Sequence, residues 1–249
     1  MLLIIPSIDL QSGNCKDCIC STLPMVDHYK KLQENPEELS RLFRRENAKS
    51  LHINDLDSLV GNDNQSNLET LLRIKNAVEI PVQVYAKFKS YEECSYLLEE
   101  GIYRIVVDQL FENDPSVIEK LISDYTSSRI SFYAKINIEV DPDTCVNNSS
   151  DVLDCIRELK NIGGDRIILK DMSMNKDLRK SIKYLNEVTD KTGIKVTLHD
   201  AARNYSELNY INKNSNYYVD SIILGEALYQ NNFPCQEIWR MVESRLEIR

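Results

Sequence analysis

The chain has 249 residues, 42% of them hydrophobic, and carries 30 Lys and Arg against 39 Asp and Glu for a net charge of −9. That balance disfavours a general nucleic-acid footprint, which needs basic patches, and no apolar run approaches the ~20 residues of a membrane span. Seven cysteines, an odd number in a long chain, argue against a secreted disulfide framework. The apolar start lacks a basic leader, so a cytoplasmic location is expected. No Pro-, Gly- or Ser-rich linker divides the sequence, which reads as a single domain over 1–249.

The first predicted strand runs from Leu2 to Leu10. Five apolar residues precede Ser7 without alternation, as in a parallel strand covered on both faces. It delivers Asp9 at its C-terminal end, where parallel α/β folds place catalytic groups. A polar, cysteine-bearing loop follows to about Lys31. Asn35-Pro36 with Glu38 then predicts a helix to about Glu46. Ser50 to Asp57 is a strand ending in acids, and Ser66 with Glu69 starts the next helix.

The unit repeats. Strands are predicted at Ile80–Val84, Ile105–Val107, Ile130–Ile138, Arg166–Lys170, Ile194–Leu198 and Val219–Leu224. Helices are predicted after Ser90, from Asp114-Pro115, over Ser150–Asn161 and Asp177–Asp190, from Asn204, and around Pro234–Leu246, with Gly101 and Gly193 as helix stops. Eight alternating units in about 250 residues fit a closed (β/α)8 TIM barrel better than an open sheet.

Four segments resemble the ProFAR isomerase of histidine biosynthesis and its barrel sister, the cyclase subunit of imidazole glycerol phosphate synthase. They are Ile5-Pro6-Ser7-Ile8-Asp9-Leu10, Leu51-His52-Ile53-Asn54-Asp55-Leu56-Asp57, Ile80-Pro81-Val82-Gln83-Val84 and Ile222-Ile223-Leu224-Gly225-Glu226-Ala227-Leu228-Tyr229. The second and last are closer to the isomerase. The resemblance implies a half-barrel-duplicated, phosphate-binding TIM barrel, an Amadori aldose–ketose isomerisation without a cofactor, and a phosphorylated ribotide-like ligand. It also sets Asn137 in the second half at the place of Asp9 in the first.

The departures fall at the implied site. Where the resemblance implies glycine loops around two phosphates, the chain has Tyr85-Ala86-Lys87, Asp108-Gln109 and His199-Asp200-Ala201; Gly225 alone is kept. Seven glycines in 249 residues are well below the usual ~7%. Lys87, Lys89 or Arg203 could contact an anion in place of the lost amides. Of the implied acid–base set Asp9 is kept, the second acid falls on Asn137 with Glu139 and Asp141 just beyond, the third falls on Asn175, Lys170 replaces a Thr, and Asp171 keeps its position. Asn cannot transfer a proton as a carboxyl does. The expectation is therefore a divergent isomerase of weak or lost activity. The alternative is a non-catalytic barrel acting as a binding or assembly subunit, with Tyr217-Tyr218 a candidate contact for a protein partner.

The expected mouth gathers Asp9, Asp55, Asn137, Asp171 and His199, the last a candidate base beside Asp200. Cys15, Cys18, Cys20 and His28 offer soft ligands in one loop, but loop thiols without a metal are the expectation.

Overall fold

A computed structural model describes residues 2–16, 32–62, 65–108, 114–136, 149–171, 177–229 and 232–233. Eight parallel strands close into a barrel: β1 (Leu3–Gln11), β3 (Leu51–Asp55), β4 (Val82–Tyr85), β5 (Arg104–Asp108), β6 (Ile130–Ile136), β7 (Arg166–Asp171), β8 (Lys195–His199) and β9 (Val219–Leu224), in sequence order, with β1 pairing β9. The (β/α)8 barrel expected from the repeat is the observed fold.

Period-two alternation explains the two cores. Along β1, Ile4, Ile8 and Leu10 face outward into a large core shared with the helices. Ile5 faces inward, meeting Tyr85, Val106, Tyr133, Ile168 and Ile223 in a second cluster that fills the barrel interior. Both faces of each strand are thus buried, as the unbroken apolar runs require.

The helices begin and end where their caps dictate. Ser90, Asp114, Asp177 and Asn204 each accept a backbone N–H in the first turn of the following helix, and each such cap is worth about 1 kcal/mol. Gly193 stops the helix Leu178–Thr192 in the left-handed conformation at φ 67°, and Gly101 at φ 94° follows the helix Tyr91–Glu99. Asn35 precedes Pro36 at the start of Pro36–Arg45, yet its side chain makes no capping bond. The expected reciprocal cap with Glu38 is therefore not formed.

Four short elements were not foreseen, among them the 3₁₀ turn Ser127–Arg129. A second strand, β2 (Asn14–Cys15), turns back antiparallel on β1 through Ser12-Gly13, both at positive φ (51° and 79°), as a type I′ hairpin demands. Short helices also follow β3 (Leu56–Leu59) and Gly225 (Glu226–Tyr229). The expected helix around Pro234–Leu246 lies outside the described residues. Among those described, no helix is long and apolar enough to cross a membrane.

Candidate active site at the barrel mouth

The strand ends set which side chains share the mouth. The parallel register runs Asp9↔Asn54, Asn54↔Tyr85, Tyr85↔Val106 and Val106↔Ser131. In a closed barrel of shear 8, staying at one level along the axis means stepping about one residue per strand. Four strands therefore carry Asp9's level from Ser131 to Lys135. Lys135 lies two residues along the strand from Tyr133, so it shares Tyr133's inward face, and its charge acts on the buried His199. It pairs with Lys170 across β6 and β7, so the far wall of the mouth carries two lysines. Asn137 and Asn175 lie outside the described residues, as does the side chain of Asp171.

On the near wall, a chain of hydrogen bonds rises through the barrel. At the floor, Arg104 Nη1 donates to Gln83 Oε1 (3.0 Å). Gln83 Nε2 lies 3.0 Å from His52 Nδ1, and His52 Nε2 lies 2.8 Å from Asn54 Oδ1. Asn54 Nδ2 donates to Asp9 Oδ1 (2.6 Å) and to Ser7 Oγ (3.1 Å). One assignment satisfies every member: Gln83 donates to Nδ1 of a neutral His52 whose Nε2–H donates onward, which fixes the Asn54 amide with its NH2 toward Asp9. Complete burial pushes the His52 pKa down to about 3, so it is neutral at physiological pH. Burial likewise raises the Asp9 carboxyl above its ordinary value, with the neighbouring Asp200 charge adding to the rise and the Asn54 and Ser7 bonds opposing it.

The far wall is held by charge. Lys170 Nζ bonds Asp200 Oδ2 (3.0 Å), and His199 Nε2 lies 3.6 Å from the same oxygen. Gly225 N donates to Asp200 Oδ1 (3.0 Å). Burial lowers His199 to about 4, against the upward pull of Asp200. Burial pushes Asp200 upward, but its cationic and N–H neighbours outweigh that and hold it below the usual carboxylate range. With His199 neutral at pH 7, Lys170 is the cation that keeps Asp200 ionised. The His199 ring also stands edge-on to His52 and Tyr133, and Tyr133 stacks on Tyr85 at 4.2 Å. The His199 Nδ1 is buried with no hydrogen-bond partner among the described residues.

Other expected site residues are placed elsewhere. Asp55 Oδ1 caps the short helix at Ser58 N (3.1 Å) and accepts from Asn67 Nδ2 (2.7 Å). With Lys87 and Lys89 it lines a groove of about 400 Å³ between the helices Gln65–Ala77 and Tyr91–Glu99, on the outer side of the barrel wall. Arg203 is half-exposed and forked onto Glu207, with Nη2 to Oε1 at 2.6 Å. Gly225 and His199 are at the mouth as expected. Cys15 is buried in the hairpin; Cys18, Cys20 and His28 lie outside the described residues. No cluster of His, Cys, Asp or Glu able to hold a metal occurs among those described.

Sequence reasoning missed Lys135, Asn54 and Gln83. Strict alternation within each strand puts Asn54 on the face of His52, Gln83 on that of Tyr85 and Lys135 on that of Tyr133, but relative height cannot be read from a linear spacing.

This architecture matches known proteins along its length. The family described as Histidine biosynthesis protein matches residues 3–234. A phosphoribosyl imidazole-4-carboxamide isomerase, the ProFAR isomerase, of Chlorobaculum tepidum is 31% identical, covering 99% of this chain and 95% of the relative. That of Pelodictyon phaeoclathratiforme is 30% identical over 99% and 96%, and that of Chloroherpeton thalassium 26% over 99% and 94%. With barrel, strand-end motifs and full-length similarity in agreement, the chain belongs to the histidine biosynthesis protein family, as a divergent member of the ProFAR isomerase type.

Proposed function

We propose that this barrel takes a phosphorylated ribotide-like small molecule at the mouth beside Asp9, and that the ProFAR aldose–ketose isomerisation of its relatives is weak or lost in it. The observation that carries this reading is the wall facing Asp9. Lys135 stands at Asp9's level, where a carboxyl opposite Asp9 would be needed, with Lys170 beside it in place of the Thr that the resemblance implies. An aldose–ketose isomerisation of the Amadori type opens a ring and moves a proton from carbon, so it needs a base and an acid on opposite sides of the substrate. Asp9, with its raised pKa and fixed orientation, remains suited to one of those roles. Loss of a single general acid typically costs a factor of ~10²–10⁴, so turnover far below an ordinary ~10 s⁻¹ is expected.

The alternative, a non-catalytic barrel serving as a binding or assembly subunit, draws support from Arg203 and Gly225 being engaged within the chain. The test is an assay of ProFAR turnover in the natural protein beside Asp9→Asn. Turnover near ~10 s⁻¹ that vanishes in the variant would show a working, rebuilt site. Slow turnover that needs Asp9 supports weakened catalysis, and none in either protein favours the binding subunit.

A further inference from the structure

The corner of the mouth at Gly225 already contains an anion. Asp200 directly follows β8 at φ 52°, a left-handed conformation that most residues with a side chain avoid, though Asp adopts it more readily than most. Its own N–H is anchored on Ile223 O (2.9 Å). This backbone geometry aims the carboxylate back across the β8–β9 seam, where each oxygen has a strong donor: the Gly225 amide on Oδ1 and the Lys170 ammonium on Oδ2, both at 3.0 Å.

Gly225 lies close against this carboxylate: a Cβ there would stand in van der Waals contact, 3.4 Å from Ser7 Cβ and 3.6 Å from Asp200 Oδ1. The amide and the ammonium thus make a corner complementary to negative charge, as backbone nests and lysines do for oxyanions. The chain fills it with its own side chain.

We infer that Asp200 is the residue that closes this corner of the mouth to phosphoryl groups, so that the part of a ligand meeting the β8–β9 seam is an uncharged, hydroxylated group. The reasoning is local. A dianionic phosphate would have to displace a carboxylate of like sign from two charge-assisted or backbone hydrogen bonds, and would be repelled while that carboxylate stays. A hydroxyl can instead donate to the outer lone pairs of Asp200 without disturbing either bond. The inference rests on the ligand class proposed above and narrows it: of two phosphate-bearing ends, neither is held at this seam.

Asp200→Gly separates this reading from a merely structural role, because glycine adopts positive φ without strain and the variant is expected to fold. With inorganic phosphate as probe against KCl of matched ionic strength, calorimetric titration and thermal melting should show at least about tenfold tighter phosphate binding in Asp200→Gly than in the natural protein, with one added site per chain. The double variant Asp200→Gly with Lys170→Met should lose that gain. An Asp200→Gly protein with native circular dichroism and no gain in phosphate binding would overturn the inference, as would a gain that survives loss of Lys170. None of these readouts depends on turnover, so the isomerase reading can fail while this one stands, and the reverse.

Discussion

The two walls of the mouth solve the same problem by different physics. On the β1, β3 and β4 side, buried polar groups are satisfied by hydrogen bonds relayed from the Arg104 guanidinium through the uncharged side chains of Gln83, His52 and Asn54 to Asp9. On the β7, β8 and β9 side, Lys170, Asp200 and the Gly225 amide are satisfied by charge pairing nearer to solvent, with side-chain exposures of 33% for Lys170 and 25% for Asp200. The first wall contains three of the four sequence segments shared with the isomerase family, with Tyr85-Ala86-Lys87 departing at its rim; the second contains the departures Lys170 and His199-Asp200-Ala201. A fully buried chain in which each amide orientation depends on the next tolerates little change, whereas a partly exposed ion pair can be rebuilt at modest cost.

The sharpest way to break this contrast is Asn54→Ala. It strips the donor from Asp9 and leaves the buried Nε2–H of His52 unpaired, so a loss of about 3 kcal/mol is expected in urea denaturation. A loss below about 1 kcal/mol would mean that the near wall is not a cooperative network.

Acidification tests both walls at once. His52 and His199 have folded pKa values of about 3 and about 4, below the ordinary 6.5. The unfolded chain therefore binds protons that the folded one refuses, and stability, full above about pH 6.5, is lost as pH falls toward those values. From pH 6.5 to pH 5 each histidine should remove about 2 kcal/mol. Comparing urea midpoints at pH 7 and pH 5, His199→Gln should show a smaller drop than the natural protein; an equal drop would take His199 out of the account.

The smallest effect is expected from Lys170→Met, at about 1 kcal/mol or less, because both partners are part-exposed. Its signature is in the carboxyl resonance of Asp200. With the depressed folded pKa, Asp200 contributes stability above the ordinary carboxylate range and loses it as pH falls through its folded value; removing Lys170 should move that value upward. Asp9, with a raised pKa, has the opposite sign: its contribution is present at low pH and fades as pH rises through its folded value. An Asp200 titration unmoved by Lys170→Met would mean that the ion pair does not hold in solution.

Much of the fold could be read from local chemistry. Ser90, Asp114, Asp177 and Asn204 announce helix starts because only a short polar side chain can satisfy the first free amides, and the eight apolar runs announce strands because both their faces are covered. The Ser12-Gly13 hairpin escaped because neither flanking segment alternates and β2 is two residues long. Asp55 and Arg203 fitted a ligand role by type and position, yet each has a nearer partner, Ser58 N and Glu207. Such competition is invisible until the backbone brings the partners together. Lys135 escaped for a geometric reason, since barrel shear separates position in sequence from height above the floor.

The placement of β1 has a kinetic consequence. Its first half, Leu3 to Pro6, pairs with β9, and its second half, Ser7 to Leu10, pairs with β3. The β3 pairing joins segments about 45 residues apart, whereas the β9 pairing joins segments more than 200 apart, the most expensive loop closure in the molecule. Ser7 sits at the boundary, accepting from Tyr229 Oη (2.6 Å) through its carbonyl and packing beside Gly225. The Gly225 corner of the mouth therefore comes into existence only when the two ends of the barrel meet, and any molecule that binds there acts as a latch on closure, slowing the opening of that seam and the amide exchange of the strands on either side of it.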